Sequence, residues 1–599
     1  MTATRNYHRS ISALIRVAFV THVISALFWS PALATDLDVS DFGAVADDGR
    51  DDTLAVRNAI AACKQTGASR IVFPTGVYDF FPDYASDEHY FISNNDGGLK
   101  RIAFLLRDVD GLVIDGKGSA FRFHGFINPF VLDRSNRVTL QDFSIDFSRP
   151  FHSEAIITGQ APDGLDVEVK KGFPFEVHRG TLLFTGGRKQ EGPMTSVTSG
   201  EVYGSSHILE YDTAKRETAY MARDYYFRGI TGYPAKELDD GKVRVLVPGL
   251  RGKVGNTLVF GPNHRLCPGI VVTDCEDVTL SGVTLHHAGG MGFLAQRTHN
   301  VTVDRCRVTP SDGRLVSTTA DATHFVNCTG RIVLSNNLFE NQKDDATNIH
   351  GVYVQVTERV ADDQIVVRLR HRQQHGFDFL SPGSTVELVR AKSMVTYATA
   401  QVTAATRLNR ELSRLTLRDR LPDNLRLGDA LAAVRDYPTV EIRDNVIRNN
   451  RARGMLLNCR GPVVVEGNHF HTPGAAILFE GDAFHWFEQG GVRDCVIRKN
   501  TFENCLYGVW GKAVIDVKAG VREDKEVSRY NKNIRVADNT FRVFGPTPLL
   551  NAYCVDGIAW ERNSVEQTEA YPPRPGHSAD FLVEHCDNVV IDGAPLLSE

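Results

Sequence analysis

Short runs of alternating apolar and polar residues recur along most of the chain. Each run has three alternating apolar positions, then a small or polar corner, then an apolar pair, as in VTLSGVTL at 278–285 and VTVDRCRV at 301–308. Further copies begin at positions 138, 332, 440, 463, 495, 534 and 558. Alternation with a period of two is typical of β-strands, so each copy predicts a strand, a tight corner and a second strand.

The spacing of the copies predicts that they stack. Neighbouring copies begin 23 or 24 residues apart, at 278 and 301, at 440 and 463, and at 534 and 558. One unit cannot bury its apolar face alone, whereas stacked units close a continuous core between parallel strands. A β-sandwich is the alternative, but its hairpins would place turns about every 8–12 residues without this internal pattern. The sequence therefore predicts an all-β chain folded as a parallel β-helix.

Asparagine or glycine occupies the corner of most copies. Both residue types tolerate left-handed backbone angles, and asparagine also bonds to its own backbone. We therefore expect the corner residues to take left-handed angles. They are Asn337, Asn445, Asn468, Asn500, Asn539, Asn563 and Gly282.

A single helix is predicted near the N-terminus, in DDTLAVRNAIAACKQTG at 51–67. Asp51, Asp52 and Thr53 supply capping oxygens, and Gly67 closes the helix. One face of the predicted helix is apolar and consists of Val56, Ile60 and Cys63. We expect this face to cover the open end of the first coil.

Two stretches lack the coil pattern. Residues 150–265 and 352–437 contain alternating β runs separated by polar turns, which predicts two small antiparallel β-barrel-like modules inserted between coils. The sequence leaves two roles open for these modules: they bind sugar, or they only form the walls of a cleft. The predicted organisation is N-terminal coils with the capping helix at 35–149, central coils at 266–351 and C-terminal coils at 438–599.

Composition and charge narrow the partners. The 599 residues are 42% hydrophobic and 23% charged, as in ordinary globular proteins. A net charge of −6 argues against nucleic acid or an anionic membrane as the main partner, because both reward clustered lysine and arginine. Most of the ten cysteines flank short β runs, which predicts buried thiols in the repeat and few or no disulfides.

The first 34 residues differ from the rest. Basic residues precede the apolar run VAFVTHVISALF, and SPALA follows with Ala32 and Ala34 in the small-x-small arrangement of a cleavage site. This layout predicts a signal peptide at 1–34 and an exported protein, periplasmic or extracellular. An N-terminal membrane anchor is the alternative, although the apolar run is short and contains His22.

Three carboxylates are predicted to meet on neighbouring coils. Placing DATHFVNC (321–328) over DDATNIHG (344–351) sets Asp321 above Asp345, and Asp344 adds a third acid. Strict alternation would send Asp344 and Asp345 to opposite faces, one into the core, where an unpaired carboxylate is costly. A bulge or turn at this point would let both face one groove. The alternative is that the two acids only cap a turn.

Crowded carboxylates suit glycosidic bond hydrolysis. That reaction needs a protonated carboxyl to donate to the leaving oxygen and an ionised one to activate water. Mutual repulsion raises the pKa of one acid in such a group, so both states coexist at one pH. A separation of about 6.5–9.5 Å would leave room for the water and invert the anomeric centre. We expect adjacent coils to supply such distances.

Two resemblances to known protein families extend this interpretation of the fold and of the acids. The opening DFGAVADDGRDDT and the later FPTGVY resemble the entry segment of the pectate-lyase-like superfamily, which implies a right-handed β-helix. NQKDDATNIHG resembles inverting polygalacturonases of glycoside hydrolase family 28, and this implies Asp344 as general acid with Asp321 and Asp345 as base. The basic signatures of that family are missing at the matching coils, which read MLLNCRG and ILFEGDAF, and this argues for a neutral sugar.

A closer resemblance covers nearly the whole mature chain. The opening, TADATHF, ENQKDDATNIHG and the two β inserts resemble glycoside hydrolase family 110, the exo-acting α-1,3-galactosidases. The resemblance implies inverting, metal-independent release of terminal α-1,3-linked galactose from blood-group-B-type or linear α-galactosyl glycans, with no cofactor. A hydrolase or lyase of an acidic polysaccharide and a non-catalytic glycan-binding β-helix remain alternatives.

Polar and aromatic residues near the acids are candidates for sugar binding, although each can equally be a solvated or packed part of the coil. No metal-ligand spacing is found, because the adjacent His286 and His287 diverge on a strand. The candidates for substrate binding are Lys343, Asn348, His350, His324, Arg453, Asn458, Glu480, Trp486 and Trp510.

Overall fold

The computed structural model describes residues 36–186, 202–227, 232–262, 264–434, 436–577 and 581–596. Within these residues the chain forms a right-handed parallel β-helix with one α-helix and two antiparallel inserts, which confirms the predicted fold class. The predicted signal peptide at 1–34 lies outside the described residues. Among the described residues, no helix is long and apolar enough to cross a membrane.

One long sheet contains the strands on either side of the predicted corners. Its register follows the predicted repeat: Val278 pairs with Val301, Val440 with Val463, and the pairing continues coil by coil. The strands are Asp36–Asp38, Arg70–Val72, Val77–Phe80, Val113–Phe123, Thr139–Phe147, Glu276–Ser281, Thr284–Leu285, His299–Asp304, Arg307–Val308, Thr329–Ser335, Leu338–Glu340, Thr439–Arg443, Val446–Arg448, Val463–Glu466, His469–His471, Cys495–Arg498, Thr501–Glu503, Asn531–Ala537, Thr540–Phe544, Val555–Glu561, Ser564–Thr568, Asp587–Ile591 and Ala594–Pro595.

A second sheet supplies the remaining strand of each coil and carries the residues around the three acids. Its members pair mainly in parallel; Ser86–Tyr90 and Glu488–Gln489 join it in antiparallel pairing. The strands are Ser86–Tyr90, Gly98–Arg107, Asn128–Asp133, Ile270–Thr273, Phe293–Gln296, Thr323–Val326, Thr347–Arg359, Met455–Leu457, Ile477–Phe479, Glu488–Gln489, Ile515–Val517, Leu550–Tyr553 and Phe581–Glu584.

The corner asparagines form a ladder inside the coil. Each side-chain N–H₂ donates to the side-chain oxygen of the asparagine on the next coil, over 2.8–3.0 Å. A buried amide is stable only when its donors and acceptors are bonded, and stacking identical residues at one position satisfies this on every coil. The ladder runs through Asn337, Asn445, Asn468, Asn500, Asn539 and Asn563.

The left-handed residue of each corner lies one position earlier, so our expectation for the asparagines is wrong. The preceding residues have φ between 50° and 71° and are exposed: Asn336, Asp444, Gly467, Lys499, Asp538 and Arg562. Gly282, at φ 66°, occupies this same position in its copy. The bend is made by an exposed residue, which leaves the asparagine beside it free to point into the ladder.

The predicted helix spans Thr53–Thr66, and its three predicted apolar residues are buried. Gly67 ends it at φ 74°, and the Thr53 N–H donates to Asp51 Oδ1 at 2.9 Å, as expected for a cap. The side chain of Asp52 does not cap; it accepts from backbone N–H groups of two neighbouring segments. Short 3₁₀ turns lie at Val39–Phe42, Pro82–Tyr84, Asp239–Gly241 and Arg372–Gln374.

The first insert, from Ser153 to Gly261, is an antiparallel sheet that leaves the coil stack unbroken, since Leu140 before it pairs with Leu280 after it. Its strands are Ser153–Ala161, Gly164–Val169, Phe175–His178, Thr181–Thr185, Val202–Tyr203, His207–Asp212, Glu217–Thr218, Tyr225–Tyr226, Tyr233–Glu237, Val243–Val245 and Thr257–Gly261.

The second insert is a small closed barrel that shares a strand with the coil. Thr347–Arg359 pairs in parallel with the next coil through residues 347–349, and residues 353–359 then pair in antiparallel within the barrel. The other barrel strands are Gln364–Arg368, Thr385–Arg390, Val395–Arg407, Leu412–Leu417 and Ala430–Val434.

A continuous apolar core runs along the inside of the coils, and the barrel of the second insert has a core of its own. All ten cysteines are buried, and nine of them belong to the coil core. The core is therefore built by the repeat, as the alternating pattern predicts.

Candidate active site

The three acids lie in irregular segments before two neighbouring strands. Thr323 pairs with Thr347, so Asp321 and Asp345, each two residues earlier, meet on adjacent coils. Residues 341–346 form bends, which releases Asp344 and Asp345 from strand alternation. The structure therefore has both the predicted register and the predicted irregularity.

The three acids lie close together. One oxygen from each of Asp321, Asp344 and Asp345 lies within 4.8 Å of the others. This distance joins the nearest oxygens, whereas the expected separation of about 6.5–9.5 Å is between whole carboxyl groups and stays a prediction. Adjacent parallel strands lie about 4.8 Å apart, which brings the acids of the two coils together. Two oxygens at this separation can both accept from one water, because each bond is about 2.7–2.8 Å long.

Asp321 is buried and bonded to a histidine. Its Oδ2 lies 2.7 Å from His324 Nδ1. Burial raises the pKa of Asp321 to about 7, and the charge of Asp344 raises it further, while Arg265 and Arg453 oppose the rise. The same burial lowers the pKa of His324 well below its usual value. The proton that this pair shares therefore rests mainly on Asp321.

A chain of hydrogen bonds sets the tautomer of His324. His350 Nδ1 lies 2.7 Å from the carbonyl oxygen of Gly351, which can only accept, so Nδ1 carries the proton. His350 Nε2 then accepts from His324 Nε2 at 2.9 Å. With its proton on Nε2, neutral His324 presents Nδ1 as an acceptor, and the carboxyl of Asp321 is the donor.

Asp344 is held by two arginines from distant parts of the chain. Arg265 Nη2 donates to Oδ2 at 2.9 Å, and Arg451 Nη1 donates to Oδ1 at 2.7 Å. Arg451 is in turn bound by Asp224 of the first insert, at 2.9 Å through Nε and 2.8 Å through Nη2. The first insert thus reaches one of the three acids through a single arginine.

Asp345 is bound by Arg453 through two hydrogen bonds. The backbone N–H of Arg453 donates to Oδ1 at 3.0 Å and its Nη2 donates to Oδ2 at 2.8 Å. Burial raises the pKa of Asp345 to about 8; Asp344 and Asp321 add to the rise and Arg453 opposes it. Asp321 and Asp345 therefore both titrate near neutral pH and are present there in protonated and in ionised forms.

The acids open into a shared cavity. Eight of the twelve residues predicted for the site line it: Asp321, Asp344, Asp345, His324, Asn348, Arg453, Glu480 and Trp486. Trp486 is fixed at the rim, because Asp482 accepts its backbone N–H at 3.2 Å and His371 of the second insert packs on its ring at 4.7 Å.

Four of the predicted binding residues do not line this cavity. Lys343 is buried against Gly261 of the first insert, and burial lowers its pKa to about 7. His350 is buried and bonds to His324, and Asn458 accepts from the backbone of Glu480 at 2.7 Å. Trp510 donates through Nε1 to Asp224 at 2.8 Å. The predicted row of His350, Asn458 and Glu480 exists, but its first two members point inward.

Several cavity residues escaped the sequence analysis, namely Asn94, Arg265, Leu456, Gly481, Asp482 and Glu488. Glu488 is bound by Asn94 Nδ2 at 2.9 Å and Asn348 Nδ2 at 3.3 Å, and burial raises its pKa to about 8. Two arginines that the sequence analysis did not name, Arg265 and Arg451, join Arg453 around the acids. Arg265 and Arg451 lie in coils and loops that are far along the chain from the acidic motif. Only the register of the stacked coils brings them close to it.

The three carboxylates are close enough together to be considered as ligands of a cation. Both oxygens of Asp344 and both oxygens of Asp345 already accept bonds from arginine. One oxygen of Asp321 is bonded to His324. Arginine and histidine side chains of the chain therefore already bond to all three carboxyl groups.

Comparison with known proteins places the chain in a family. Its residues 153–258 match the GLAA-B β-barrel domain I and residues 364–431 match the GLAA-B β-barrel domain II. These matches fall on the first and the second insert.

Solved structures with similar coils have low overall similarity. A family 28 exopolygalacturonase of Yersinia enterocolitica has 13% identity and a TM-score of 0.38, covering 94% of this chain and 79% of that chain. The catalytic unit of a thermostable GH87 α-1,3-glucanase from Streptomyces thermodiastaticus has 13% identity and a TM-score of 0.33, covering 93% and 69%.

Sequence relatives are much closer. Alpha-1,3-galactosidase A of Shewanella woodyi is 35% identical over 98% of this chain and 95% of its own length. Alpha-1,3-galactosidase A of Bacteroides fragilis is 30% identical over 96% of both chains. Alpha-1,3-galactosidase B of Akkermansia muciniphila is 31% identical over 93% of this chain and 69% of its own length. The chain therefore belongs to the α-1,3-galactosidase family and is a glycoside hydrolase.

Proposed function

We propose that the protein is an inverting exo-α-galactosidase that releases terminal α-1,3-linked galactose from glycans of the blood-group-B or linear α-galactosyl type. The observation that carries this proposal is the meeting of Asp321, Asp344 and Asp345 within 4.8 Å at one cavity. Such a group supplies the proton donor and the proton acceptor that glycosidic hydrolysis requires.

In the proposed reaction Asp344 is the general acid. Asp344 takes up a proton from Asp321 or Asp345, whose oxygens lie within 4.8 Å of its own, and passes it to the glycosidic oxygen as the bond from that oxygen to C1 of galactose breaks. Arg265 and Arg451, which donate to its two oxygens, stabilise the carboxylate that remains. Asp344 is also the most exposed of the three acids, with 17% of its side chain accessible.

Asp321 and Asp345 act as the base. Their nearest oxygens are spaced to hold one water between them, which attacks C1 from the face opposite the leaving oxygen and gives its proton to the pair. Raised pKa values, about 7 and about 8, make these carboxylates stronger bases when they are ionised near neutral pH.

A neutral sugar fits the charges of the site better than a uronic acid. Each of the three arginines at the acids, Arg265, Arg451 and Arg453, already donates to a carboxylate of the chain. Binding an acidic polysaccharide would require one of them to exchange its partner for the substrate. Family membership in turn weighs against the non-catalytic alternative.

The test is hydrolysis of p-nitrophenyl α-galactoside and of a trisaccharide ending in Gal-α-1,3-Gal, followed by ¹H NMR. We expect β-galactose as the first product and equal rates with and without a chelator. First release of α-galactose would overturn the inverting mechanism. Closely spaced carboxyl groups are typical of retaining enzymes, so the product anomer distinguishes the two mechanisms directly. Activity on a polygalacturonate but on neither galactoside would overturn the substrate.

We also propose that the enzyme is exported, on the pattern of residues 1–34 alone. N-terminal sequencing of the protein from the native cell would give Thr35 as the first residue. Recovery of the intact N-terminus in the cytoplasmic fraction would contradict this.

A further inference from the structure

We propose that Tyr226 of the first insert forms the subsite for the sugar on the leaving side of the scissile bond. Its ring would stack on the apolar C–H face of a neutral pyranose, such as the galactose to which the terminal galactose is linked. The inference rests on the proposed function, because it takes Asp344 as the acid at the glycosidic oxygen.

The ring of Tyr226 is both exposed and fixed. Tyr226 is 51% exposed, yet one face of its ring stacks on His207 with centroids 4.6 Å apart and planes at 17°. The two residues are also partners in neighbouring strands of the first insert. One aromatic face is therefore buried against a support, and the other is available to a ligand.

The support behind the ring is itself anchored. His207 Nε2 bonds to Asp224 at 2.8 Å, and Asp224 accepts from Trp510 Nε1 at 2.8 Å. The hydroxyl of Tyr226 accepts from Arg451 Nη2 at 3.0 Å. An exposed aromatic ring held in this way loses little conformational entropy when a ligand stacks on it, which favours binding.

One guanidinium connects this ring to the catalytic acid. Arg451 donates through Nη1 to Asp344 and through Nη2 to Tyr226. The acid must lie beside the glycosidic oxygen, so a ring attached to the same guanidinium borders the sugar that departs with that oxygen. A tyrosine combines a flat apolar face with a polar edge, which matches the mixed surface of a pyranose.

The experiment compares two substrates that differ on the leaving side. Gal-α-1,3-Gal places a sugar there, whereas α-galactosyl fluoride leaves as fluoride and places none. We expect Tyr226→Ala to lower kcat/KM for the disaccharide by about tenfold or more and to leave the fluoride within about twofold, since tenfold corresponds to ~1.4 kcal/mol, the scale of one aromatic contact. Activity on the fluoride also reports that the variant is folded.

Tyr226→Phe is the matched control. Fluoride departs without protonation, so a variant that disturbed only Asp344 would also lose activity selectively on the disaccharide. Tyr226→Phe removes the bond to Arg451 and keeps the ring, and we expect it to retain the wild-type ratio of the two kcat/KM values. The same selective loss in Tyr226→Phe would overturn the proposal.

Other outcomes are equally decisive. An unchanged ratio in Tyr226→Ala would overturn the subsite. If that variant lost both activities, Tyr226→Leu, which keeps an apolar side chain over His207, would replace it, and an equal loss on both substrates would count against the subsite. Wild-type enzyme that hydrolysed neither substrate would instead overturn the proposed function.

Discussion

The carbonyl of Gly351 influences chemistry two side chains away. It fixes the proton of His350 on Nδ1, and this makes His324 an acceptor toward Asp321. Because burial raises its pKa, Asp321 holds a proton that an isolated carboxyl would lose near pH 4. At the scale of single residues, the direction of each hydrogen bond determines which atom carries a proton, and this affects the site as much as the charges do.

Asp321→Asn tests the protonation of this acid. Because burial raises the pKa of Asp321 from 3.8 to about 7, the folded protein binds more protons than the unfolded chain between roughly pH 4 and pH 7, and the free energy of unfolding falls as pH rises through that window. An asparagine N–H₂ donates to His324 as the protonated acid does, without a charge. We expect kcat to fall roughly 10²–10⁴-fold.

The same variant should be more stable than the wild type at pH 8, with a Tm higher by about 1–3 °C, and equal to it at pH 4. Thermal unfolding followed by circular dichroism at the two pH values measures this difference. A Tm that is lower at pH 8 would mean that ionised Asp321 stabilises the fold, contrary to the geometry.

His350→Leu tests the tautomer chain. Without its acceptor, His324 is free to carry its proton on Nδ1 and donate to ionised Asp321, which lowers the pKa of that acid. The acidic limb of the kcat/KM profile should therefore move to lower pH by about one unit. Asp344, Asp345, Arg265 and Arg453 also face Asp321, but His350→Leu leaves them in place.

His350→Gln is the control for that experiment. A glutamine oxygen can accept from His324 in place of Nε2, so the limb should stay near its wild-type position. A purely structural role for His350 would lower kcat/KM in both variants and leave the limb of both unmoved.

The acids could be found from the sequence because they lie within one short motif and one coil of each other. Arg265 and Arg451 could not, since nothing near either residue in sequence indicates an acidic partner. Tyr226 belongs to an insert whose placement over the coil no repeat predicts. The sequence thus predicts the three clustered acids and leaves out the arginines that bond to one of them.

At the scale of elements, the asparagine ladder is the clearest link between repeat and stability. The sequence predicts the corner, but the reason it suggested, backbone freedom, belongs to the residue before. The asparagine is selected by its side chain, whose amide both donates and accepts along the stack. The pattern of residue types therefore predicted the corner correctly, although the reason given for the asparagine was wrong.

Asn468→Ala should show the strength of the ladder. The substitution leaves buried donors of Asn445 without their acceptor and removes bonds to Ile442 and Asn500. We expect the free energy of unfolding to fall by about 2–3 kcal/mol. Urea denaturation followed by fluorescence measures the change.

Asn563→Ala, at the exposed end of the ladder, is the matched control and should cost about half as much. Equal losses at the two positions would indicate that the ladder does not act as a stack.

At the scale of the whole molecule, the repeat predicts the coil and cannot predict how the inserts meet it. The strands of an insert alternate like any antiparallel sheet, so their sequence specifies a local fold. Their contacts with the coil depend on single side chains such as Asp224 and His371. The two sheets and the register of the acids were predictable; the dependence of the site on both inserts was not.

Asp224→Asn tests the contribution of the first insert. The variant removes one of the two charged partners of Arg451, so the arginine no longer holds Asp344 in one position. We expect kcat to fall roughly tenfold to a hundredfold with little change in Tm. Steady-state kinetics on Gal-α-1,3-Gal measures the effect.

Asp166→Asn is the control, because it removes a comparable ion pair, 2.6 Å from Arg244, elsewhere in the same insert. It should leave kcat unchanged. An equal fall in both variants would show a general loosening of the insert in place of a specific contact.

The shared strand Thr347–Arg359 has a consequence for chimaeras of this enzyme with its relatives. The first insert meets Asp344 through one charged side chain, so a grafted replacement needs a carboxylate where Asp224 lies. The second insert is continuous in backbone with Asn348 and His350. A barrel grafted from a relative should therefore begin only after residue 353. Otherwise the grafted strand would also replace the part that pairs with the next coil, and the position of Asn348 and His350 would change.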